Sequence, residues 1–235
     1  MQSNLQAHPL LFLALTVAVF LFASWIQKRL RAHPLANPVL VSVCLLMAFM
    51  AATGTPYERY FQGAQFIHFL LGPAVVALAV PMFRHIAKIR AAAVPIVAGI
   101  VGGSVAGLAV IGIAAWLLAA DPALIASLAT KSVTAPVAMA IAPYTGAIPS
   151  LAAIVAVLAG MLGAAFGPTL LDQLGVTDPV ARGLAIGTAS HGQGTARILQ
   201  ESEEAGALSS IAMGLTALIM AGTMPLLAKV LLVAP

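Results

Sequence analysis

Apolar runs of membrane-spanning length succeed one another along this chain, and very few charges interrupt them. Hydrophobic residues fill 61% of 235 positions and charged residues only 8%, with a mean hydropathy of +1.04. A soluble domain of this length needs far more charge to cover its surface, and its apolar stretches break into amphipathic periods. Runs of this length and continuity read instead as helices crossing a bilayer. The expected class is all-α: a polytopic membrane protein, with one transmembrane domain over residues 1–235 and an internal repeat.

The formal net charge of +4 does not indicate nucleic acid, because the basic residues are not gathered on one folded face. Lys28, Arg29 and Arg31 form one short cluster and Arg84, Lys88 and Arg90 another, each between apolar runs. The positive-inside bias places both loops in the cytoplasm and the amino terminus outside. Cys44 is the only cysteine, which excludes an intrachain disulfide and a thiolate metal site. The first run, Leu10 to Ile26, has its basic residues after it and no small-x-small cleavage pattern, so it reads as a retained span.

Residues 1–90 divide into three N-terminal spans. The second runs from Asn37 to Thr53, and the third, from about Gln62 to Phe83, is interrupted by Gly72-Pro73 and Pro81. Tyr57 and Tyr60, in the loop between them, suit an interfacial belt. From there the chain repeats itself, with one copy over 93–145, a second over 147–204, and a last span over 205–235 in which Lys229 is placed to snorkel. Asp121-Pro122 opens the interrupted segment of the first copy and Asp178-Pro179 that of the second, at an offset of 57 residues. Each is preceded by a span rich in small residues, which allow close helix contact in lipid. Both interruptions fall roughly ten residues in, about 15 Å of helix and half the hydrocarbon thickness. Each segment is either a spanning helix with an unwound centre or a hairpin that enters and leaves on one side. We expect hairpins, which make the repeats inverted.

Irregular chain at membrane depth survives only where protein packs it or it lines a cavity, so the two breaks are the candidate solute site. In the second, Ser190-His191-Gly192-Gln193-Gly194-Thr195-Ala196-Arg197 gives an ionisable imidazole between glycines that let backbone approach a ligand. The competing role for His191 is a neutral ring bonded to a helix carbonyl, and Ser190 and Thr195 serve equally well to satisfy freed backbone groups. Arg197 is a candidate carboxylate clamp, or else the i,i+4 partner of Glu201. In the first break Lys131, Ser132 and Thr134 precede Pro136, which suits the opening turn of a half-helix whose amino end favours an anion. No acidic residue falls within a span, so the solute is expected to be a small organic anion. His68 reads as a packed or interfacial residue. Neither a metal site nor a cofactor is expected.

The runs His33 to Pro38, Phe69 to Pro81, Lys131-Ser132-Val133-Thr134 and Ser190 to Arg197 resemble the LrgB/CidB family over nearly the whole chain. Two departures stand out: Ala135, where the family often has a threonine, and Gly146-Ala147, where it often has a glycine pair. The resemblance implies a bacterial inner-membrane protein of the antiholin-like type, tied to regulation of murein hydrolases. It also implies kinship with plastid glycolate/glycerate translocators and bacterial pyruvate carriers, and a small LrgA/CidA-type membrane partner. Carried over by motif, the core positions are Lys131, Ser132, Thr134, Ser190, His191, Gly192, Thr195 and Arg197, with Gln193 and Gly194 in the same run. The reading is a secondary transporter of a small monocarboxylate, not an enzyme, embedded as a homo-oligomer, expected to be a dimer, in the bilayer. The alternative is a holin-like protein that alters envelope integrity.

Overall fold

The computed structural model describes residues 9–30 and 36–232, with side chains as far as residue 228. Arg31, the His33-Pro34-Leu35 part of the first motif and the Lys229 side chain lie outside the described residues. Among the described residues every regular element is a helix. Five helices are long and apolar enough to cross a membrane: Pro9–Arg29, Tyr57–Arg84, Ala93–Leu118, Pro149–Gln173 and Glu203–Ala228, with Pro38–Thr53 a shorter apolar one. Their outward faces carry exposed large apolar side chains such as Phe69, Phe83, Trp116 and Leu118. Acyl chains accept such a surface and water does not.

The chain divides into two compact units, Met1–Leu78 and Ala79–Pro235. The division falls inside the third apolar run. Its helix is cut into the pieces Tyr57–Phe69, Leu71–Ala77 and Ala79–Arg84, around Gly72-Pro73 and Pro81. A proline in a helix removes one hydrogen bond and crowds the preceding turn.

The first unit contains α1 (Pro9–Arg29), α2 (Pro38–Thr53), α3 (Tyr57–Phe69) and α4 (Leu71–Ala77). Asn37 caps α2, its Oδ1 accepting from the Val39 and Leu40 amides at 3.0 and 3.2 Å, and Gly54 ends the helix in the left-handed region. Helices α1 and α3 meet where Tyr60 packs edge-on against Phe12 and its hydroxyl reaches Thr16 at 3.0 Å. His68 lies exposed on α3, its ring in a T-shaped arrangement with that of Phe61. Cys44 is exposed and unpaired.

The second unit contains α5 (Ala79–Arg84), α6 (Ile86–Ala91), α7 (Ala93–Leu118), α8 (Pro122–Ala129), α9 (Ala135–Thr145), α10 (Pro149–Gln173), α11 (Pro179–Leu199) and α12 (Glu203–Leu232). Small residues on the long helices let the others close in, and the order of those approaches gives their directions. Gly99 and Gly103 of α7 face Leu184 and Thr188, so α7 runs in the same sense as the first half of α11. Gly160, Gly163 and Gly167 of α10 face His191, Ser190 and Ile186 in turn, so α10 runs against it. Gly183 and Gly187 face Leu208 and Ala212, so α12 runs with it. Helices α7 and α10, which precede the two interrupted segments, therefore run in opposite senses.

At one end of this unit the basic loop meets the acidic start of α12. Arg84 pairs with Glu203 at 2.9 Å and Lys88 with Glu204 at 2.8 Å. Exposed pairs of this kind add little stability, but they bring the basic segment 84–90 and the acidic start of α12 to one end.

Candidate functional site

The shared Asp-Pro start of the two segments is a matched pair of caps. Asp121 Oδ1 accepts the Ala123 amide and Asp178 Oδ1 the Ala181 amide, each at 2.8 Å, with the proline in the first turn of each helix.

In the first segment α8 stops at Ala129 and α9 begins at Ala135. Ser127 Oγ accepts the Ile148 amide at 3.0 Å while donating to the Ala123 carbonyl. Residues 127 and 148 of one straight helix would lie about 30 Å apart. Helix α9 therefore folds back along α8, and Gly146 ends it in the left-handed region. The turn between them, Thr130 to Thr134, holds the polar residues. Thr130 and Ser132 are buried, and Lys131 donates to Ser132 Oγ at 3.3 Å. A Cβ built on Gly107 of α7 would stand 3.6 Å from Lys131 Nζ. Thr134 caps α9 with extended backbone, and its hydroxyl makes no capping bond. Among the described residues Lys131 has no acidic partner.

The second segment is nominally one helix, but His191 has φ 38° and ψ −132°, far from helical values. Three observations show that the chain reverses there. A Cβ on Gly194 would lie 2.8 Å from Ile186 Cγ2 and 3.3 Å from its carbonyl oxygen, although eight residues of straight helix span about 12 Å. The second half runs against α12, with Thr195 bonded to Ser209 and Leu199 lying against Gly206, whereas the first half runs with it. Arg182 and Arg197 also converge on one carboxylate, Glu201, at 2.9 and 3.0 Å. Gly194 is thus required for the close approach of the two halves, and non-glycine backbone in the conformation of His191 is strained.

His191 is buried, and its Nε2 lies 2.9 Å from the Ala156 carbonyl of α10. A carbonyl only accepts, so Nε2 carries the proton. Ala156 packs in one cluster with Val133 of the first turn, so the two turns rest on neighbouring faces of α10. The structure sets the turn that carries Lys131 and Ser132 and the reversal that carries Ser190, His191, Gly192 and Gln193 on the same helix, α10, and Gln193 Oε1 is buried without a partner. Thr195 is occupied locally, donating to the His191 carbonyl at 2.7 Å and meeting Ser209 Oγ at 2.8 Å. Arg197 stands at the open end of the hairpin, paired with Glu201.

Arg182, which the sequence did not single out, closes that open end. Its side chain is 13% exposed and binds Asp172, Glu201 and the Val176 carbonyl. Ser104, Thr188 and Thr216 were not singled out either, and their hydroxyls are buried and unpartnered. A groove of about 360 Å³ between α7 and α12 is lined by apolar residues apart from Ser104 and Thr223.

Two chain reversals placed against one long helix, inside an all-helical chain with an apolar exterior, define a multi-pass membrane protein with a polar site built from broken helices. The chain belongs to the LrgB-like family, whose profile matches residues 16–230. It is similar to the uncharacterized protein YxaC of Bacillus subtilis, with 36% identity over 89% of this chain and 91% of the relative. It is also similar to the holin-like protein CidB of Staphylococcus epidermidis, with 30% identity over 97% of this chain and 98% of the relative. An uncharacterized protein of Haemophilus influenzae shares 33% identity over 94% and 95%. No solved structure matches the chain.

Proposed function

We propose that the protein is a secondary transporter of a small monocarboxylate in a bacterial inner membrane, with its amino terminus outside. The observation that carries this reading is a lysine with no acidic partner among the described residues, held in a chain reversal whose Val133 shares a core cluster with Ala156, the residue whose carbonyl meets the buried His191. An unpaired cation at membrane depth is costly, and a transient anionic guest is a natural partner for it. In this reading Lys131 and the free amides of the half-helices hold the carboxylate, while Ser132, Thr134 and His191 meet its second oxygen. Ser190, Gly192, Gln193 and Gly194 shape the second reversal, and Thr195 and Arg197 hold it in place. Both hairpins are re-entrant from opposite sides, and alternating access comes from moving one inverted repeat against the other. The protein catalyses no covalent step, assembles as a dimer, and acts with a small LrgA/CidA-type partner.

Uptake of labelled C2 and C3 monocarboxylates into proteoliposomes tests this. Lys131→Gln is expected to abolish uptake while insertion and melting temperature are retained; undiminished flux in that variant refutes the assignment.

A second reading is favoured by a specific finding, the similarity to staphylococcal holin-like proteins: a holin-like protein that alters envelope integrity without carrying a solute. It predicts high-order oligomers and leakage of an uncharged dye from vesicles, with no stabilisation by any monocarboxylate.

A further inference from the structure

Helix α3 has two unlike sides. Tyr60 and Gly63 pack on α1, where Tyr60 meets Phe12 edge-on and a Cβ on Gly63 would stand 2.8 Å from Phe12 Cβ and 3.0 Å from the Leu13 amide nitrogen. At about 100° of turn per residue, Phe61, Gln65 and His68 fall on the reverse side. There they line a shallow hollow with Phe66 and Phe69. Gln62, Gln65 and His68 are all exposed.

Such a side is ill suited to lipid. Helix α3 opens the apolar segment Tyr57–Arg84, which is long enough to cross a membrane. From Tyr57 to His68 a helix rises about 16 Å, half the hydrocarbon thickness, so the amides and the imidazole reach well inside it. The Gln65 amide turns back on its own helix and donates to the Gln62 carbonyl at 2.8 Å, while its side chain still faces outward. Polar groups at that depth are costly without a partner, and glutamine and histidine are among the side chains that join one membrane helix to another.

The spacing names the kind of partner. Phe61, Gln65, His68 and Gly72 succeed one another at four, three and four residues, the interval of a seam between two helices crossing at a shallow angle. Nothing lies within 4 Å of a Cβ built on Gly72, so the seam stays open as the chain enters α4.

We propose that this side of α3 is a dimer interface, packed against α3 of a second copy across a twofold axis along the membrane normal. It rests on the dimer of the reading above and on no step of transport. Such an axis sets each residue opposite itself at the same depth. A primary amide both donates and accepts, so Gln65 pairs with the Gln65 of its copy, and a neutral imidazole has the same double capacity. A second copy meets the seam's donors and acceptors by identity, and a foreign helix would have to match them residue by residue.

Single cysteines test this in the full chain, in liposomes, after Cys44, the only native cysteine, is changed to alanine. Phe61→Cys, Gln65→Cys and His68→Cys are expected to form disulfide dimers under mild oxidation at least five times as fast as Ile67→Cys and Leu70→Cys. Those two controls are exposed positions that the same helical turn puts on the α1 side. Separately, Gln65→Leu weakens dimerisation about tenfold, the loss of one interhelical amide pair, as read by single-molecule photobleaching. His68→Phe serves in its place if Gln65→Leu fails to insert. Crosslinking that is uniform or strongest at the controls overturns the proposal and leaves a dimer joined elsewhere, as does an unchanged dimer fraction in the variant. A wild type that stays monomeric overturns the dimer as well, and uptake, measured independently, judges the transport.

Discussion

The two hairpins of the second unit solve the same problem with opposite means. The first is open: Thr130 to Thr134 form an extended turn between two separate helices, and the hydroxyl of Ser127 ties its returning end. The second is tight: one residue, His191, takes the whole reversal, Gly194 closes the halves on each other, and charges clamp the base. The open turn has room for a long, charged side chain and carries Lys131. The tight one is braced on three sides, by α10 at Gly160, Gly163 and Gly167, by α12 at Gly183 and Gly187, and by Arg182 and Arg197 on Glu201. The difference teaches that one reversal is made by a five-residue turn between separate helices, and the other by a single residue whose flanks are packed and paired on every side. Lys131 stands on the open turn, and the imidazole on the tight one.

The comparison breaks first at the bracing glycines. In Gly187→Ala the new methyl would stand 2.8 Å from both Ala212 Cβ and Ser209 Cα, and it would overlap the Ser209 carbonyl oxygen. Backbone cannot swing aside, so a loss of about 3 kcal/mol is expected, seen as a lower melting temperature of the purified protein. An unchanged melting temperature would mean that the second hairpin is not braced as described. Next comes the clamp. Glu201→Gln leaves Arg182 and Arg197 without their shared carboxylate, at a cost of about 1 to 2 kcal/mol after allowance for partial solvent exposure. Amide hydrogen exchange should rise over residues 179–199 and stay constant over 122–145; equal change in both would remove the distinction. The smallest effect belongs to Ser127→Ala, which deprives the Ile148 amide of its acceptor. About 1 kcal/mol is expected, with faster exchange confined to the start of α10. Protection of that amide at the wild-type level would show that the open hairpin is held elsewhere.

Much of this was legible in the residues. Asp121-Pro122 and Asp178-Pro179 act within a few residues of chain, so their role as caps follows from local chemistry. The glycines around His191 mark the second break for the same reason. Arg197 had two readings, and its ion pair with Glu201 is the one the geometry displays. What stayed hidden depends on neighbours distant in sequence. Nothing near Arg182 announces that it joins Asp172 to Glu201, because the pairing exists only once the chain has reversed. Ser104, Thr188 and Thr216 look like ordinary span hydroxyls, and only packing distinguishes them from those that bond to their own helix. The division at Leu78 was foreshadowed by Gly72-Pro73 and Pro81, but proline marks a kink and does not say that packing ends there.

Helix α10 has a mechanical role that its plain composition conceals. It gives a carbonyl to His191 at Ala156, and that same alanine belongs to the core cluster that contains Val133 of the other turn. A single rod of 25 residues is thus the fulcrum on which both reversals rest. Tilting it by a few degrees would move both turns at once, making it the part of the molecule where a displacement started at one turn must arrive at the other.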